Sequence, residues 1–515
     1  MREGPVVQTG SGAVRGFWRG PEPLNLSANP AELVATGGLA EASAGPGPYA
    51  AFLGIPYAAA PVGPRRFGVP ERPEPWSGIR PALQYGPTPV RATAADSLVP
   101  EPAIPGEDIL NLNVFTPDPD PAARLPVLVY VHGGSYTAGS PASPWYDGRT
   151  FNRDSVVTVS VSYRLGFDGF GAMAGAPGNR GVRDWLAALT WVQENIAAFG
   201  GDPDRVTIGG QSAGGGAVLT LLGLPAAQPL FHRAWSISGA LADVSAKRAE
   251  QVAATLARKL GVAPTRAGFA QVSPEQLLAA QDSYVAQATR EVPLGIRQDP
   301  QRLLHLGPTI DGDLISQDTV GAISAGVGAD KELFLGATTE EFAMTAAGFP
   351  AVLDRTNPAL ALAVLGCRKE VRTRYLNAVR AERATTREVI AGYVTDSVFR
   401  APASQIAQVR TGPTWLYSFG WAGAKPGRAI HCSDLPFWFD CLDQPYSTYL
   451  LGPGAPAELA QTMHSDAVRF VATGSLPWPR TGPDRTPARV YDRKVTLSDR
   501  AYESVAALVR PVGPT

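Results

Sequence analysis

The stretch Arg205-Val-Thr-Ile-Gly-Gly210, Gln211-Ser-Ala-Gly214, Gly215-Gly-Ala-Val-Leu-Thr-Leu-Leu222 decides the fold. A β-branched strand pattern runs through Gly210-Gln-Ser-Ala-Gly214, a G-x-S-x-G turn, into small and apolar residues compatible with a helix. Strand, sharp turn and helix are the setting of a nucleophile elbow. Its strained backbone lifts the Ser212 hydroxyl above a sheet, and the flanking glycines are required because a side chain there would strike the neighbouring strand or helix. The helix beginning beside Ser212 turns free N–H groups and the positive end of its dipole toward any anion formed there. With 55 glycines in the chain a bare G-x-S-x-G arises by chance, so the strand before it and the helix after it give the motif its weight.

Outward from the elbow, Pro126-Val-Leu-Val-Tyr-Val131 and Val156-Val-Thr-Val-Ser-Val-Ser162 are continuous apolar or β-branched runs, as expected of strands buried on both faces. Asn111 to Phe115 reads as another strand, and Val182, Leu186, Leu189 and Val192 recur at helical spacing within 182–198. A Gly200-Gly-Asp-Pro203 turn precedes a short strand at Val206-Thr-Ile208. Strands alternating with amphipathic helices predict an α/β fold with a mostly parallel sheet flanked by helices. Further strands are expected at Glu332–Leu335, Thr414–Ser418 and, as one final segment, Ala488–Leu497. Residues 241–300 and 345–400 read as helical, the latter an insertion over the carboxyl edge of the sheet, where open α/β folds bind ligands. Pro5 to Phe17 predicts a hairpin; 19–50 and Gly63 to Pro102 are breaker-rich and read as surface excursions.

Composition excludes several classes. Lys and Arg total 45 against 46 Asp and Glu with no basic run, so neither nucleic acid nor an anionic membrane is an expected partner. Residues that are 44% hydrophobic and 18% charged form a core and are not disordered. No stretch approaches the ~20 apolar residues of a membrane span, and the start Met1-Arg-Glu-Gly-Pro-Val-Val-Gln-Thr9 has no apolar signal core. Cys367, Cys432 and Cys441 are an odd set that builds no disulfide framework and reads as free thiols in a reducing, cytoplasmic compartment. His132, His232, His305, His431 and His464 include no H-E-x-x-H pair, so no metal and no cofactor are expected.

A serine hydroxyl needs a base, an acid to orient that base and donors for the oxyanion. With this elbow those parts follow in the order Ser, acid, His. Of the downstream histidines, His431 lies in the polar loop Arg428-Ala-Ile-His-Cys-Ser-Asp-Leu-Pro-Phe437 after a buried strand, where it can reach the sheet edge. His464 sits in a helical pattern and His305 among helix-like apolar neighbours, which favours structural roles for both. Strand 126–131 runs into His132-Gly-Gly-Ser135, so the backbone N–H groups of Gly133 and Gly134, with that of Ala213 after the nucleophile, are the candidate oxyanion donors. His132 precedes the donors and is expected to buttress their loop.

Many stretches, in order along nearly the whole chain, resemble the type-B carboxylesterase family of α/β-hydrolases, which includes bacterial para-nitrobenzyl esterases and the cholinesterases. They include Phe52-Leu-Gly-Ile-Pro-Tyr-Ala58, Arg66-Phe67, Glu107-Asp108 with Leu112-Asn-Val114, Ser162-Tyr-Arg164, Phe199-Gly-Gly-Asp-Pro203, Ser238-Gly239, Asp311-Gly312, Leu435-Pro-Phe437 and Pro477-Trp-Pro479. The resemblance implies a single catalytic domain over 1–515 that hydrolyses small-molecule carboxylic esters as a monomer without a cofactor. It maps Ser212 as nucleophile, His431 as base and Glu341, within Gly336-Ala-Thr-Thr-Glu-Glu-Phe342, as acid. It also implies ion pairs of Arg66 with Glu107 and of Arg164 with Asp184. Ser238 becomes either support near the acid and base or a buried hydroxyl serving the backbone.

Departures from the family pattern bear on substrate shape. Gln211 stands where glutamate usually precedes the nucleophile, which removes a charge that would favour cationic substrates; Tyr136 and Phe342 are expected to add apolar wall. Ile109 replaces a disulfide cysteine of secreted relatives, Trp185 a common glutamine and Phe342 a common glycine, and 19–50 exceeds the family hairpin. Acyl transfer to a non-water acceptor and carbamate cleavage share the acyl-enzyme step and stay open beside hydrolysis. A non-catalytic binding protein on the same fold is the alternative of another class.

Overall fold

Alternate residues of one strand pack on opposite faces of the sheet, and that alternation organises the molecule. In the computed structural model, which describes residues 4–20, 49–92, 97–290, 304–380, 382–425, 427–482 and 485–510, the strand Leu125–Val131 sends Val127, Val129 and Val131 into one core and Leu128 and Tyr130 into another. The first core is closed by helices α1 (Arg180–Asn195) and α2 (Ala213–Leu222) through Trp185, Leu189, Val192, Ala217 and Leu221. The second is closed by α3 (Ala457–Thr473) through Leu459, Met463 and Phe470, with Trp235, Phe334 and Trp438 between. A strand covered on both sides has no solvent face, which is why its sequence is apolar throughout.

Eleven strands form the main sheet among the described residues. In chain order they are β1 (Phe17–Arg19), β2 (Tyr49–Pro56), β3 (Asn111–Thr116), β4 (Leu125–Val131), β5 (Val157–Val161), β6 (Gly201–Gln211), β7 (Arg233–Ile237), β8 (Glu332–Thr338), β9 (Thr414–Phe419), β10 (Ala488–Tyr491) and β11 (Thr496–Ser498). They lie side by side in the order β11-β10-β9-β8-β7-β6-β4-β5-β3-β2-β1. Pairing is parallel from β5 through β10 and antiparallel at both flanks. The register sets Val131 opposite Gly210, Gln211 opposite Ile237, and Ile237 opposite Gly336. The carboxyl ends of β4, β6, β7 and β8 are therefore level, and the loops that leave them meet.

The N-terminal hairpin forms, Val6–Thr9 against Gly12–Arg15. Of the expected 19–50 excursion, 21–48 lie outside the described residues, whereas Arg19 and Tyr49 pair as strand. β2 and β7 are strands that the sequence reading did not anticipate, and three further readings differ from expectation. β6 begins at Gly201 because Gly201 pairs with Leu125, which draws the Gly-Asp-Pro turn into the strand. The final segment is two antiparallel strands, β10 and β11, since Asp492–Val495 fold the chain back. Leu304 to Gly307 are not helical; His305 is held instead by Arg248, whose Nη2 donates to Nδ1 at 2.9 Å. The 345–400 region is helical in pieces and carries its own buried anchor, Asp396, between Arg383 and Arg400 at 2.9 Å each.

Of the two expected ion pairs, one forms. Arg164 Nη2 meets Asp184 Oδ1 at 2.6 Å, and Oδ2 accepts from Arg164 Nε at 2.8 Å and its backbone N–H at 3.0 Å, all fully buried. Arg66 pairs with Asp168 at 3.2 Å and not with Glu107, which is exposed on the turn before β3. Removing one partner of a buried pair strands the other charge, at a cost of about 3–5 kcal/mol. Asp184→Ala is expected to lose about that much stability in urea-induced unfolding, while Glu107→Ala stays within about 0.5 kcal/mol of the parent.

Candidate active site

The elbow is built by close approach. Ser212 has φ 60° and ψ −123°, a left-handed conformation rare outside glycine, and donates its N–H to the Ile237 carbonyl at 2.9 Å. A Cβ on Gly210 would stand 2.7 Å from the Val131 carbonyl oxygen, and a Cβ on Gly214 would collide with that same oxygen. Only glycine at both positions lets β6 and α2 cross beside β4. The turn leaves Ser212 partly exposed between buried neighbours.

Beyond β4 the chain turns through His132, Gly133 and Gly134. A Cβ on Gly133 would lie 2.7 Å from the Gln211 carbonyl and 3.1 Å from Ser212 Cβ, so this loop rests directly against the elbow. The N–H groups of Gly133, Gly134 and Ala213 donate to no protein acceptor among the described residues. His132 stacks on Tyr163 with ring centroids 4.6 Å apart, and Tyr163 donates to the His132 carbonyl at 3.0 Å. Burial pushes the His132 imidazole down to about 3, so it stays neutral and props the loop.

Glu341 follows β8 and His431 follows β9. The two side chains are bonded, His431 Nδ1 to Glu341 Oε2, and Glu341 is wholly buried with its other oxygen accepting the Thr338 N–H at 2.8 Å. The backbone locks the same contact, since the His431 N–H donates to the Glu341 carbonyl at 2.9 Å. Its neighbour Glu340 turns away to Arg428 at 3.5 Å, and Arg428 in turn reaches Glu388 at 2.6 Å. Among the described residues no hydrogen bond joins Ser212 Oγ to His431; the contact made by His431 Nε2 is with Gln211 Nε2, at 3.2 Å.

Several positions carry more, or less, than sequence reasoning assigned them. Phe342 lies 5.6 Å and Phe399 4.9 Å, centroid to centroid, from the His431 ring. Phe399 comes from the helical insertion and has no local signal in the chain. Asp434, three residues past His431, is buried; burial first and Glu341 second lift its carboxyl to about 7, against bonds from Tyr417 and Trp438. Tyr136 lines no wall: it is fully buried beneath the loop, against Phe170 and Trp185. The Ser238 hydroxyl is buried, with no hydrogen-bond partner among the described residues. His464 is a packing residue, bonded to the Trp438 carbonyl and to Asp154. A cavity of about 680 Å³ is bordered by Phe67, Ile104, Thr137, Leu165 and Leu277, and neither Ser212 nor His431 lines it. Among the described residues no three His, Cys, Asp or Glu side chains are placed to hold a metal ion, and no helix is long and apolar enough to cross a membrane.

A family model described as the carboxylesterase family matches residues 36–477. The para-nitrobenzyl esterase of Bacillus subtilis (strain 168) is 32% identical over 484 residues, 87% of this chain and 92% of the relative. The acylcarnitine hydrolase of Mus musculus is 42% identical over 228 residues, 41% of this chain and 40% of the relative. Among solved structures, a carboxylesterase of Geobacillus stearothermophilus aligns with a TM-score of 0.80 at 28% identity, covering 98% of this chain and all of the other (100%). A PNB esterase aligns with a TM-score of 0.77 at 29% identity over 98% and 99% of the two chains.

Cys432 and Cys441 are buried, and burial raises both thiols well above their ordinary range. Since the thiolate is the reactive form, iodoacetamide at neutral pH is expected to leave both unmodified in the folded protein and to alkylate both in denaturant, as read by peptide mass spectrometry.

Proposed function

The chain belongs to the carboxylesterase family and is a carboxylic ester hydrolase, and from that premise we propose which residues perform the chemistry. Ser212 Oγ attacks the ester carbonyl while His431 Nε2 takes its proton. Glu341, bonded to Nδ1, holds the ring in that tautomer and compensates the imidazolium charge. The N–H groups of Gly133, Gly134 and Ala213 receive the tetrahedral oxyanion, and the positive end of α2 adds to them. His431 then protonates the departing alkoxide, leaving acyl-Ser212 and the alcohol. Water, deprotonated by the same nitrogen, releases the acid and restores the serine.

The observation that carries this reading is the bond between His431 and the wholly buried Glu341, at the level where the Ser212 elbow and three uncommitted backbone donors converge. The substrate is a small-molecule ester, and Gln211 in place of a carboxylate favours neutral over cationic ones. The chain works as one catalytic domain, a monomer in the cytoplasm.

Ser212→Ala is expected to lower kcat by about 10⁶ and to abolish labelling by an aryl phosphonate. Labelling at another serine, or turnover retained in the variant, defeats the assignment. Glu341→Gln is expected to lower kcat by about 10⁴ with little change in KM. Glu340→Gln is expected to keep most of the activity, because that carboxylate faces Arg428. Steady-state kinetics on a p-nitrophenyl ester separates the two; the reverse pattern moves the acid by one residue.

A further inference from the structure

Gln211 ends β6 one residue before the nucleophile and is only 2% exposed. Its Nε2 lies 3.2 Å from Nε2 of His431. Glu341 decides the polarity of that contact. With a carboxylate at Nδ1, the neutral ring carries its hydrogen there and presents a lone pair on Nε2. A lone pair calls for a donor, and the amide N–H supplies it. This is the same lone pair that has to accept the Ser212 proton, and no bond from Ser212 reaches it. The amide is confined as well: its Oε1 is 3.2 Å from where a Cβ on Gly133 would stand, and the buried Cys432 thiol is within hydrogen-bonding reach of the same side chain.

We propose that Gln211 is a positioning residue that latches the catalytic base, its amide N–H occupying His431 Nε2 in the resting enzyme until the Ser212 hydroxyl displaces it. Resting on the roles assigned above to Ser212 and His431, the latch has two consequences. Acylation begins with an exchange of donors at one nitrogen, which slows it by about the equilibrium worth of one neutral hydrogen bond, roughly fivefold. Once Nε2 carries the proton, two donors oppose each other, so the amide releases the imidazolium and the proton is directed to the leaving oxygen and not shared with Gln211. A glutamate in this position offers the neutral ring no N–H, and the latch follows from the departure at this residue.

Two variants isolate the N–H. Gln211→Met keeps the length and burial of the side chain without a donor; Gln211→Asn keeps an amide but is one methylene too short to reach. The second-order rate constant for phosphonylation of Ser212 by an aryl phosphonate is measured in each, beside kcat and KM for a neutral aryl ester. The latch is supported if phosphonylation quickens about fivefold in the variants with KM little changed, an outcome that a merely structural role for Gln211 does not produce. A folded variant labelled at Ser212 at the parent rate or more slowly overturns the latch and leaves the serine assignment standing. Should the parent protein fail to label at Ser212, both fall. Either variant alone suffices if the other does not fold.

Discussion

The Val131 carbonyl oxygen occupies the space that a side chain at Gly210 or at Gly214 would need. Around that one oxygen the end of β4, the end of β6 and the start of α2 come within touching distance, and Ser212 between them adopts φ 60°. Strain of this kind costs about 1–3 kcal/mol and persists only where the surroundings over-determine it. Here they do so through sheet hydrogen bonds on both sides of β6 and through α2, which is buried along its whole length. The glycine loop after β4 lies directly on the elbow, where a Cβ on Gly133 would stand 3.1 Å from Ser212 Cβ.

Charge in this region is managed by burial. Glu341 is wholly buried and takes a backbone N–H and the imidazole, so neither oxygen faces an apolar wall alone. Asp434 is enclosed nearby, and a second carboxylate so close to Glu341 is costly to ionise, which is the direction its titration takes. His132 stays neutral because burial disfavours its cation, with the Arg91 charge adding to the effect. Glu341 is left bonded to the imidazole of His431. Phe342 and Phe399 pack near the His431 ring, 5.6 Å and 4.9 Å from it centroid to centroid.

Much of the architecture was legible along the chain because it rests on local rules. Continuous apolar runs marked β4 and β5, since strands covered on both faces have no polar side to show; helical spacing marked α1. The elbow was legible for the same reason, for a glycine two residues on either side of a serine is a statement about backbone space. Where a boundary depended on pairing, the reading was displaced: Gly201 belongs to β6 only because Leu125 lies opposite, and the last strand region folds into β10 and β11 because two short segments pair with each other. The partner of Arg66 could not be read either, because Asp168 reaches it across a hundred residues of chain by the docking of one short helix.

By itself, then, the amino-acid sequence determined most of the strands of the main sheet (though not β2 or β7), the turn that carries Ser212, the glycines after β4 and the loop that carries His431. Each depends on the φ, ψ and burial of neighbouring residues. Tertiary structure alone decided that Glu341 and not Glu340 meets the imidazole in space, that Phe399 lies against that ring, and that Gln211 holds His431 Nε2. Those contacts join residues tens to hundreds of positions apart. Which atoms meet there is set by sheet register and helix docking to within an ångström, and no local pattern in the chain encodes a distance of that kind.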